Sequence, residues 1–197
     1  MSLYVLYCRP ISTRNPKKLR KMTCFINWSK IEPTEEEIIV TLIEGKKAPD
    51  FSLINEKGET VRLADFRGQN VIVYFYPKDM TPGCTTEACD FRDKHEDFSQ
   101  LNAVVLGISP DDAKKHTKFI DKHGLPFSLL VDEDHAVAEA YGVWVLKKMY
   151  GREYMGIERS TFLIDTEGNL MKAWRKVRVK NHIEEVYTYL AEWEATK

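Results

Sequence analysis

Short apolar runs alternate with stretches of helical periodicity from about residue 50 to the end of the chain. The runs are rich in β-branched and aromatic side chains, which is typical of buried strands. They predict strands over residues 71–76, 103–108, 127–131, 160–165 and 170–174. Residues 84–100, 110–123, 136–141 and 183–193 have the pattern of helices between or after these strands. This order predicts an α/β fold, with a central mixed β-sheet flanked by helices.

Turn and capping residues mark the boundaries of several of these elements. Residues 55–58 (Asn-Glu-Lys-Gly) and 166–169 (Thr-Glu-Gly-Asn) each predict the turn of a β-hairpin. Ser109 is expected to cap a helix that has Pro110 at its first position, and Gly124 is expected to end that helix.

The loop after the first long apolar run carries the strongest chemical signal. The predicted strand over residues 71–76 is followed by Pro-Lys-Asp-Met-Thr-Pro-Gly, and Cys84 then comes where a helix is expected to begin. The first turn of a helix offers free N–H groups and the positive end of its dipole, which favour the reactive thiolate form of a cysteine. Cys89 follows five residues later. We therefore interpret Cys84 as a candidate nucleophile.

Two less reactive roles for Cys84 compete with this interpretation. Free cysteines are mostly small buried hydrophobic residues, but residues 82–83 (Pro-Gly) expose backbone, and the neighbouring threonines carry hydroxyls where a core favours methyl groups. Zinc binding is disfavoured because the other two cysteines, Cys8 and Cys24, lie far away in the chain. We expect neither a metal nor another cofactor.

The residues around Cys84 resemble a known family. Pro77, Thr81 and Cys84 match the Pro-x-x-x-Thr-x-x-Cys signature of peroxiredoxins. The longer run over residues 74–89 (Tyr-Phe-Tyr-Pro-Lys-Asp-Met-Thr-Pro-Gly-Cys-Thr-Thr-Glu-Ala-Cys) resembles the Q-type branch of that family, also called bacterioferritin comigratory proteins.

The resemblance extends from about Lys46 to the C-terminus and includes residues 158–162 (Glu-Arg-Ser-Thr-Phe). There Arg159 matches the arginine that peroxiredoxins place beside their reactive cysteine. The sequence alone also allows Arg159 to form a surface ion pair with Glu158 or Asp165, and only the resemblance favours the catalytic role.

This resemblance implies a thioredoxin-like fold and a thiol-dependent peroxidase. The Cys84 thiolate would attack the terminal oxygen of hydrogen peroxide or an organic hydroperoxide and become a sulfenic acid. Thr81 would hydrogen-bond the sulfur or the peroxide, and Pro77 would shield the pocket from water. Arg159 would supply positive charge and several donors. The backbone N–H groups of Gly83 and Cys84 would stabilise charge on the peroxide oxygens.

The resemblance also implies that Cys89 resolves the sulfenic acid in a disulfide with Cys84, and that thioredoxin is the usual reductant. Five residues apart on a helix, two Cα atoms are about 8–9 Å from each other. A disulfide tolerates only about 4.4–6.8 Å. The helix would therefore have to unwind in every cycle. If Cys89 instead packs in the core, an external thiol would resolve Cys84.

Length and composition limit the other function classes. A chain of 197 residues has room for one domain with a substantial core and an appendage. The net charge of -1 gives no electrostatic reason to expect a nucleic-acid partner. No apolar run approaches the length of a membrane span. Four cysteines without the spacing of a disulfide framework suggest a reducing compartment, so we expect a cytoplasmic protein. We also expect a monomer.

Residues 1–40 form an atypical extension before the predicted peroxiredoxin domain of residues 41–197. Up to Ile31 this extension contains basic residues but no acidic ones. Its apolar start is too short for a secretory signal, and an organellar transit peptide fits only in part because serine is sparse. We favour a start codon assigned too far upstream, with translation beginning at Val40. The extension is then disordered or not native, and Cys8 and Cys24 have no catalytic role.

Two other functions remain as alternatives. A thioredoxin-type reductase normally uses Cys-x-x-Cys, which this sequence lacks. A redox-sensing or chaperone-like thiol protein, whose helix unfolds on oxidation, would act without fast turnover. The five histidines form no ligand pattern and are interpreted as surface or packing residues. The aromatic and methionine residues between Trp144 and Met155 are expected to pack a loop over the sheet rather than to bind a cofactor, and lining of the substrate pocket is the alternative.

Overall fold

The structure is a computed structural model, and it describes residues 42–149 and 151–196. The predictions for residues 1–40, including those for Cys8 and Cys24, lie outside the described residues. In the part of the chain that the structure describes, no helix is long and apolar enough to cross a membrane.

Nine strands and five α-helices make up the described chain. The strands are β1 (Ser52–Asn55), β2 (Thr60–Arg62), β3 (Asn70–Phe75), β4 (Ala103–Ser109), β5 (Leu129–Val131), β6 (Trp144–Met149), β7 (Arg152–Ile157), β8 (Ser160–Ile164) and β9 (Leu170–Trp174). The helices are α1 (Pro82–Asp93), α2 (His95–Gln100), α3 (Ala113–His123), α4 (Ala136–Ala140) and α5 (His182–Glu194).

Seven of the strands form one mixed sheet in the order β2-β1-β5-β4-β3-β8-β9. Strands β3, β4 and β5 are parallel to one another, whereas β8 lies antiparallel to β3 and β1 lies antiparallel to β5. This arrangement confirms the predicted α/β class with a central mixed sheet. Strand β3 lies inside the sheet, and all six of its residues are buried.

The two faces of β3 belong to two separate hydrophobic cores, because successive side chains of a strand point to opposite faces. Ile72 and Tyr74 pack with residues of α1, α3 and α5 on one face. Val73 and Phe75 pack with residues of α4 on the other face. A strand that is covered on both faces has a continuous apolar sequence, which explains the run that predicted it.

The predicted hairpins are confirmed, but two helix boundaries were wrong. The helix that contains Cys84 was expected to reach residue 100, but α1 ends at Asp93, and α2 begins after a break at Lys94. Ser109 does not cap α3, since it lies buried at the end of β4. The cap is Asp112, whose carboxylate accepts a hydrogen bond from the backbone N–H of Lys115 at 2.9 Å.

The residues around Trp144 were expected to pack a loop over the sheet, and this is confirmed only in part: Trp144 packs against the core that contains Val73 and Phe75, but it lies on a strand. Strands β6 and β7 pair with each other as a separate antiparallel hairpin. Tyr154 and Met155 are 44% and 45% exposed, so they do not cover the sheet. The ring of Trp144 also contacts the ring of His135, with centroids 3.8 Å apart and an angle of 31° between the ring planes.

Candidate active site

The candidate site forms where the carboxyl end of β3 meets the beginning of β8. Phe75 is the last residue of β3, and its partner in the antiparallel register is Ser160, the first residue of β8. Arg159 therefore lies beside the loop that leads from β3 into α1. Two segments that are about 75 residues apart in sequence meet here because of this strand pairing.

Cys84 is the third residue of α1, as the sequence predicted, and it is only 1% exposed. Pro82 occupies the first helical position, and Thr81 precedes it in an extended conformation. The first intrahelical bond runs from the N–H of Thr85 to the carbonyl of Thr81 at 2.8 Å. The amides of Gly83 and Cys84 precede this bond, so they are the free donors that a helix N-terminus provides.

Arg159 connects the cysteine to a buried carboxylate. Its Nη2 lies 3.1 Å from the Sγ of Cys84, and its Nη1 donates a hydrogen bond to the Oε2 of Glu87. The guanidinium therefore contacts Glu87 and Cys84 and does not form the surface ion pair with Glu158 or Asp165 that the sequence also allowed. Burial disfavours the charged guanidinium, but attraction by Glu87 and Cys84 outweighs it, so the pKa of Arg159 lies above its ordinary value.

Glu87 was given no role by the sequence analysis. It lies one helical turn after Cys84, on the same face of α1, and it is fully buried. Within the described residues, its Oε1 has no hydrogen-bond partner. Burial is the main cause that raises the pKa of Glu87 to about 7, although Arg159 counteracts it. The sequence signal that could have revealed Glu87 is its place among the apolar positions of α1, where an acidic residue is unusual.

We expect substitution of Glu87 by glutamine to change how stability depends on pH. The carboxyl binds its proton more tightly in the folded chain than in the unfolded chain, so the free energy of unfolding falls as pH rises from about 4.5 to about 7. A difference of this size corresponds to about 3 kcal/mol. Glu87→Gln should remove this loss of stability. The measurement is urea unfolding of the wild-type protein and the variant below pH about 4.5 and above pH about 7.

The matched control for this experiment is Glu133→Gln, which removes an exposed carboxylate. The stability of this control should follow the wild-type pH profile. If the wild-type protein and Glu87→Gln instead gave parallel profiles, Glu87 would not take up a proton in this interval.

Thr81 and Pro77 lie near the cysteine in sequence, but the structure does not test their predicted roles. The hydroxyl of Thr81 donates a hydrogen bond to the carbonyl of Lys78 at 3.0 Å. Its oxygen lone pairs can still accept from a peroxide. Pro77 is exposed, so a shielding role would place it at the rim of the pocket. A Cβ added at Gly83 would lie 3.5 Å from Nη2 of Arg159, which places this glycine against the guanidinium.

Lys147 supplies a second cation that the sequence analysis did not single out. Its Nζ donates a hydrogen bond at 2.5 Å to the carbonyl of Ile157, two residues before Arg159. Partial burial lowers its pKa, and Arg159 adds to this effect, whereas Glu158 and Cys84 oppose it. The hairpin of β6 and β7 therefore brings a positive charge close to the site.

Cys89 lies on the same helix as Cys84 and is half-buried. Both cysteines are free thiols. The Sγ of Cys89 is 4.0 Å from the Nδ1 of His123, at the end of α3. The structure thus has both cysteines in helical positions, which is the arrangement that must unwind if they form a disulfide.

The histidines do not assemble into a metal site in the described part of the chain, where no group of three or more His, Cys, Asp and Glu side chains could hold a metal ion. His116 and His182 are buried. His182 contacts the hydroxyl of Thr161 at 2.7 Å, and burial lowers the pKa of His182 to about 4. Both are buried, which agrees with the expectation that the histidines are surface or packing residues, and both have polar contacts as well.

Comparison with known proteins defines the class of this protein. The model of the AhpC/TSA family matches residues 44–173, which is more than half of the chain. The chain therefore belongs to the AhpC/TSA family, and it is a peroxiredoxin, a thiol-dependent peroxidase.

The relatives place the chain within this class. It is 63% identical to Peroxiredoxin Bcp of Bacillus subtilis over 146 residues, which are 74% of this chain and 93% of that protein. It is 47% identical to Peroxiredoxin Bcp of Escherichia coli over 148 residues, which are 75% and 95% of the two chains. The predicted resemblance to bacterioferritin comigratory proteins is confirmed.

Solved structures agree with this placement. Peroxiredoxin Q of Xanthomonas campestris superposes with a TM-score of 0.71 at 42% identity, over 73% of this chain and 91% of that one. The bacterioferritin comigratory protein of the same organism superposes with a TM-score of 0.73 at 39% identity, over 77% of this chain and 99% of that one. That protein was solved as trapped intermediate and ligand complexes in relation to its alkyl peroxide reduction activity. The thioredoxin-like fold implied by the resemblance is confirmed.

Proposed function

We propose that this peroxiredoxin reduces hydroperoxides in a two-cysteine cycle, with Cys84 as the nucleophile and Cys89 as the resolving residue. The observation that supports this proposal most directly is the 3.1 Å contact between Nη2 of Arg159 and Sγ of a buried Cys84. A cation held against a sulfur at the N-terminus of a helix is the environment in which a cysteine reacts as a thiolate.

In the first step, the Cys84 thiolate attacks the terminal oxygen of the hydroperoxide. A sulfur–oxygen bond forms and the oxygen–oxygen bond breaks, and the departing oxygen takes up a proton to leave as water or an alcohol. The donors of Arg159 and the free amides of Gly83 and Cys84 stabilise the charge that develops on the oxygens. The hydroxyl of Thr81, which donates its hydrogen to the carbonyl of Lys78, could accept a hydrogen bond from the peroxide.

In the second step, the thiol of Cys89 attacks the sulfur of the Cys84 sulfenic acid. A disulfide forms and water leaves, so the two electrons that reduced the peroxide come from two thiols. Because residues five apart on a helix are about 8–9 Å from each other, α1 must unwind between the two cysteines. Cys89 then gives up its contact with His123.

A thioredoxin-type reductant would return the disulfide to two thiols. We propose hydrogen peroxide and organic hydroperoxides as substrates, in line with the alkyl peroxide reduction described for the Xanthomonas campestris relative. Since the cycle requires both cysteines to be kept reduced, we propose that the protein works in the cytoplasm. We further propose that it acts as a monomer, because both cysteines of the cycle belong to one helix.

The disulfide can be tested by non-reducing peptide mapping after one equivalent of peroxide. We expect a linkage between Cys84 and Cys89, and we expect continued peroxide consumption when thioredoxin and its reductase are present. Cys89→Ser should still consume about one equivalent per chain but should lose turnover with thioredoxin. Absence of the linkage would refute the two-cysteine cycle, and oxidation limited to a single turnover in the wild-type protein would favour the redox-sensing alternative.

A further inference from the structure

The loop between β3 and α1 is held by Asp79, a residue that has no role in the cycle described so far. Asp79 is 5% exposed. Its Oδ1 accepts a hydrogen bond from the hydroxyl of Tyr76 at 2.7 Å, and its Oδ2 lies 2.8 Å from Nδ1 of His116. Its backbone N–H donates to Oδ2 of Asp111 at 2.7 Å. The loop is therefore fixed at this residue through both the side chain and the main chain.

The hydrogen-bond partners of His116 define where its protons lie. His116 is fully buried on α3, and its Nε2 lies 3.2 Å from the carbonyl oxygen of Leu130. A carbonyl oxygen only accepts hydrogen bonds, so Nε2 carries a proton. A second proton must lie between Nδ1 and the carboxylate of Asp79, because a bare nitrogen lone pair facing a carboxylate would be repulsive. This proton joins the two side chains in a buried hydrogen bond.

The main-chain contact is supported by a second set of charges. Asp111 is almost fully buried, and Nζ of Lys115 lies 3.0 Å from its Oδ1. The N–H of Asp111 donates to the hydroxyl of Ser109 at 3.1 Å. The carboxylate of Asp111 is thus paired with Lys115, and the carboxyl group of Asp79 is paired with His116. The two contacts connect the loop to α3 through His116 and to the segment between β4 and α3 through Asp111.

The backbone that follows Asp79 is in a conformation that needs such support. Met80 has a φ of 59°, in the left-handed region that is unfavourable for a residue with a side chain. Its side chain is 41% exposed, so packing of that side chain does not account for the conformation. Strained residues persist where the surrounding contacts fix them. Here the fixed neighbour is Asp79, and the residues that follow are Thr81 and the start of α1.

We propose that Asp79 and His116 are positioning residues that hold the β3–α1 loop in the geometry required for attack on a peroxide. Their shared proton fixes the loop to α3, and the loop in turn sets the positions of Thr81 and of the amides of Gly83 and Cys84 at the start of α1. The fixed contact lies before Cys84, and therefore the movement that brings the cysteines together takes place on the Cys89 side. This inference rests on the proposed cycle.

The test compares His116→Leu, which removes the pair, with His116→Asn, whose amide nitrogen replaces Nδ1 as a donor. The rate constant for oxidation of Cys84 by peroxide should fall about 10-fold to 100-fold in His116→Leu, since small misplacements of reacting groups have effects of this size. His116→Asn should recover most of that rate. Amide hydrogen exchange over residues 78–84 should become faster in His116→Leu, a result that does not depend on activity.

The control is Ile164→Ala, a buried substitution at the end of β8 that is remote from Arg159. It should lower the melting temperature but leave the rate of Cys84 oxidation close to wild type. Equal rates in His116→Leu and wild type, or equal slowing in Ile164→Ala, would overturn the proposal. If His116→Leu does not fold, Asp79→Asn is measured instead, with the same two outcomes. A wild-type protein that fails to oxidise Cys84 would refute the cycle itself.

Discussion

Replacement of Cys84 by serine is expected to reduce peroxide turnover to the uncatalysed background. A serine hydroxyl is not ionised in this environment, and it cannot form the stable oxidised state that a sulfur forms. Loss of a nucleophile typically lowers turnover by at least about 10⁴-fold. The measurement is peroxide consumption in the presence of thioredoxin and its reductase. Serine is close in size to cysteine and can accept a hydrogen bond from Arg159, so the fold should be retained.

The same substitution at Cys89 is the matched control, since both residues lie on α1. Cys89→Ser should keep the rapid first oxidation, and Cys84→Ser should lose it. Turnover in Cys84→Ser within about 10-fold of wild type would contradict the assignment of the nucleophile, because no such loss of a nucleophile leaves so much activity.

Replacement of Arg159 by alanine is expected to slow the oxidation of Cys84 by about 10²-fold to 10³-fold, the usual effect of removing one donor from a site of developing charge. Arg159→Lys should recover only part of this loss. The guanidinium contacts Cys84 and Glu87 with two different nitrogens, and a single ammonium group cannot reproduce that fork. Rapid-mixing measurements of the first turnover would report the effect on the chemical step.

Arg159→Ala also leaves the carboxyl of Glu87 buried without its cation, which could impair the fold rather than the chemistry. The double variant Arg159→Ala with Glu87→Gln separates these effects, since it removes the unpaired carboxyl together with the guanidinium. Oxidation should stay slow in the double variant. Recovery to near the wild-type rate would mean that Arg159 acts only by balancing Glu87.

The parts of the site that the sequence revealed are those encoded locally. The apolar run of β3 and the Pro-Gly before Cys84 are enough to place this cysteine at a helix N-terminus, because strand burial and the start of a helix depend on neighbouring residues. Arg159 was identified only through the family resemblance. Its partners Glu87 and Cys84 are 72 and 75 residues away in sequence. Strand pairing brings Arg159 to them, and a local sequence pattern does not predict which charged side chain such a pairing places beside a cysteine.

The residues that the sequence did not reveal act through tertiary contacts. His116 and Asp79 are 37 positions apart in sequence. The amphipathic pattern of α3 predicts which residues are buried, but it does not show which of them contacts the loop after β3. The hairpin of β6 and β7 was missed for a different reason. Its exposed Leu146 and Met155 do not follow the alternation that indicates a strand with one buried face.

The position of Arg159 between Cys84 and Glu87 has a consequence for the order of events in the proposed cycle. In the proposed cycle, oxidation converts the Cys84 thiolate into a neutral sulfenic acid, and Glu87 then remains as the other hydrogen-bond partner of the guanidinium. The attraction between the guanidinium and the sulfur is then weakened by the reaction itself. In that cycle the peroxide weakens a contact of α1 only after it has been consumed, so unwinding on the Cys89 side would follow the oxidation of Cys84 and would not precede it.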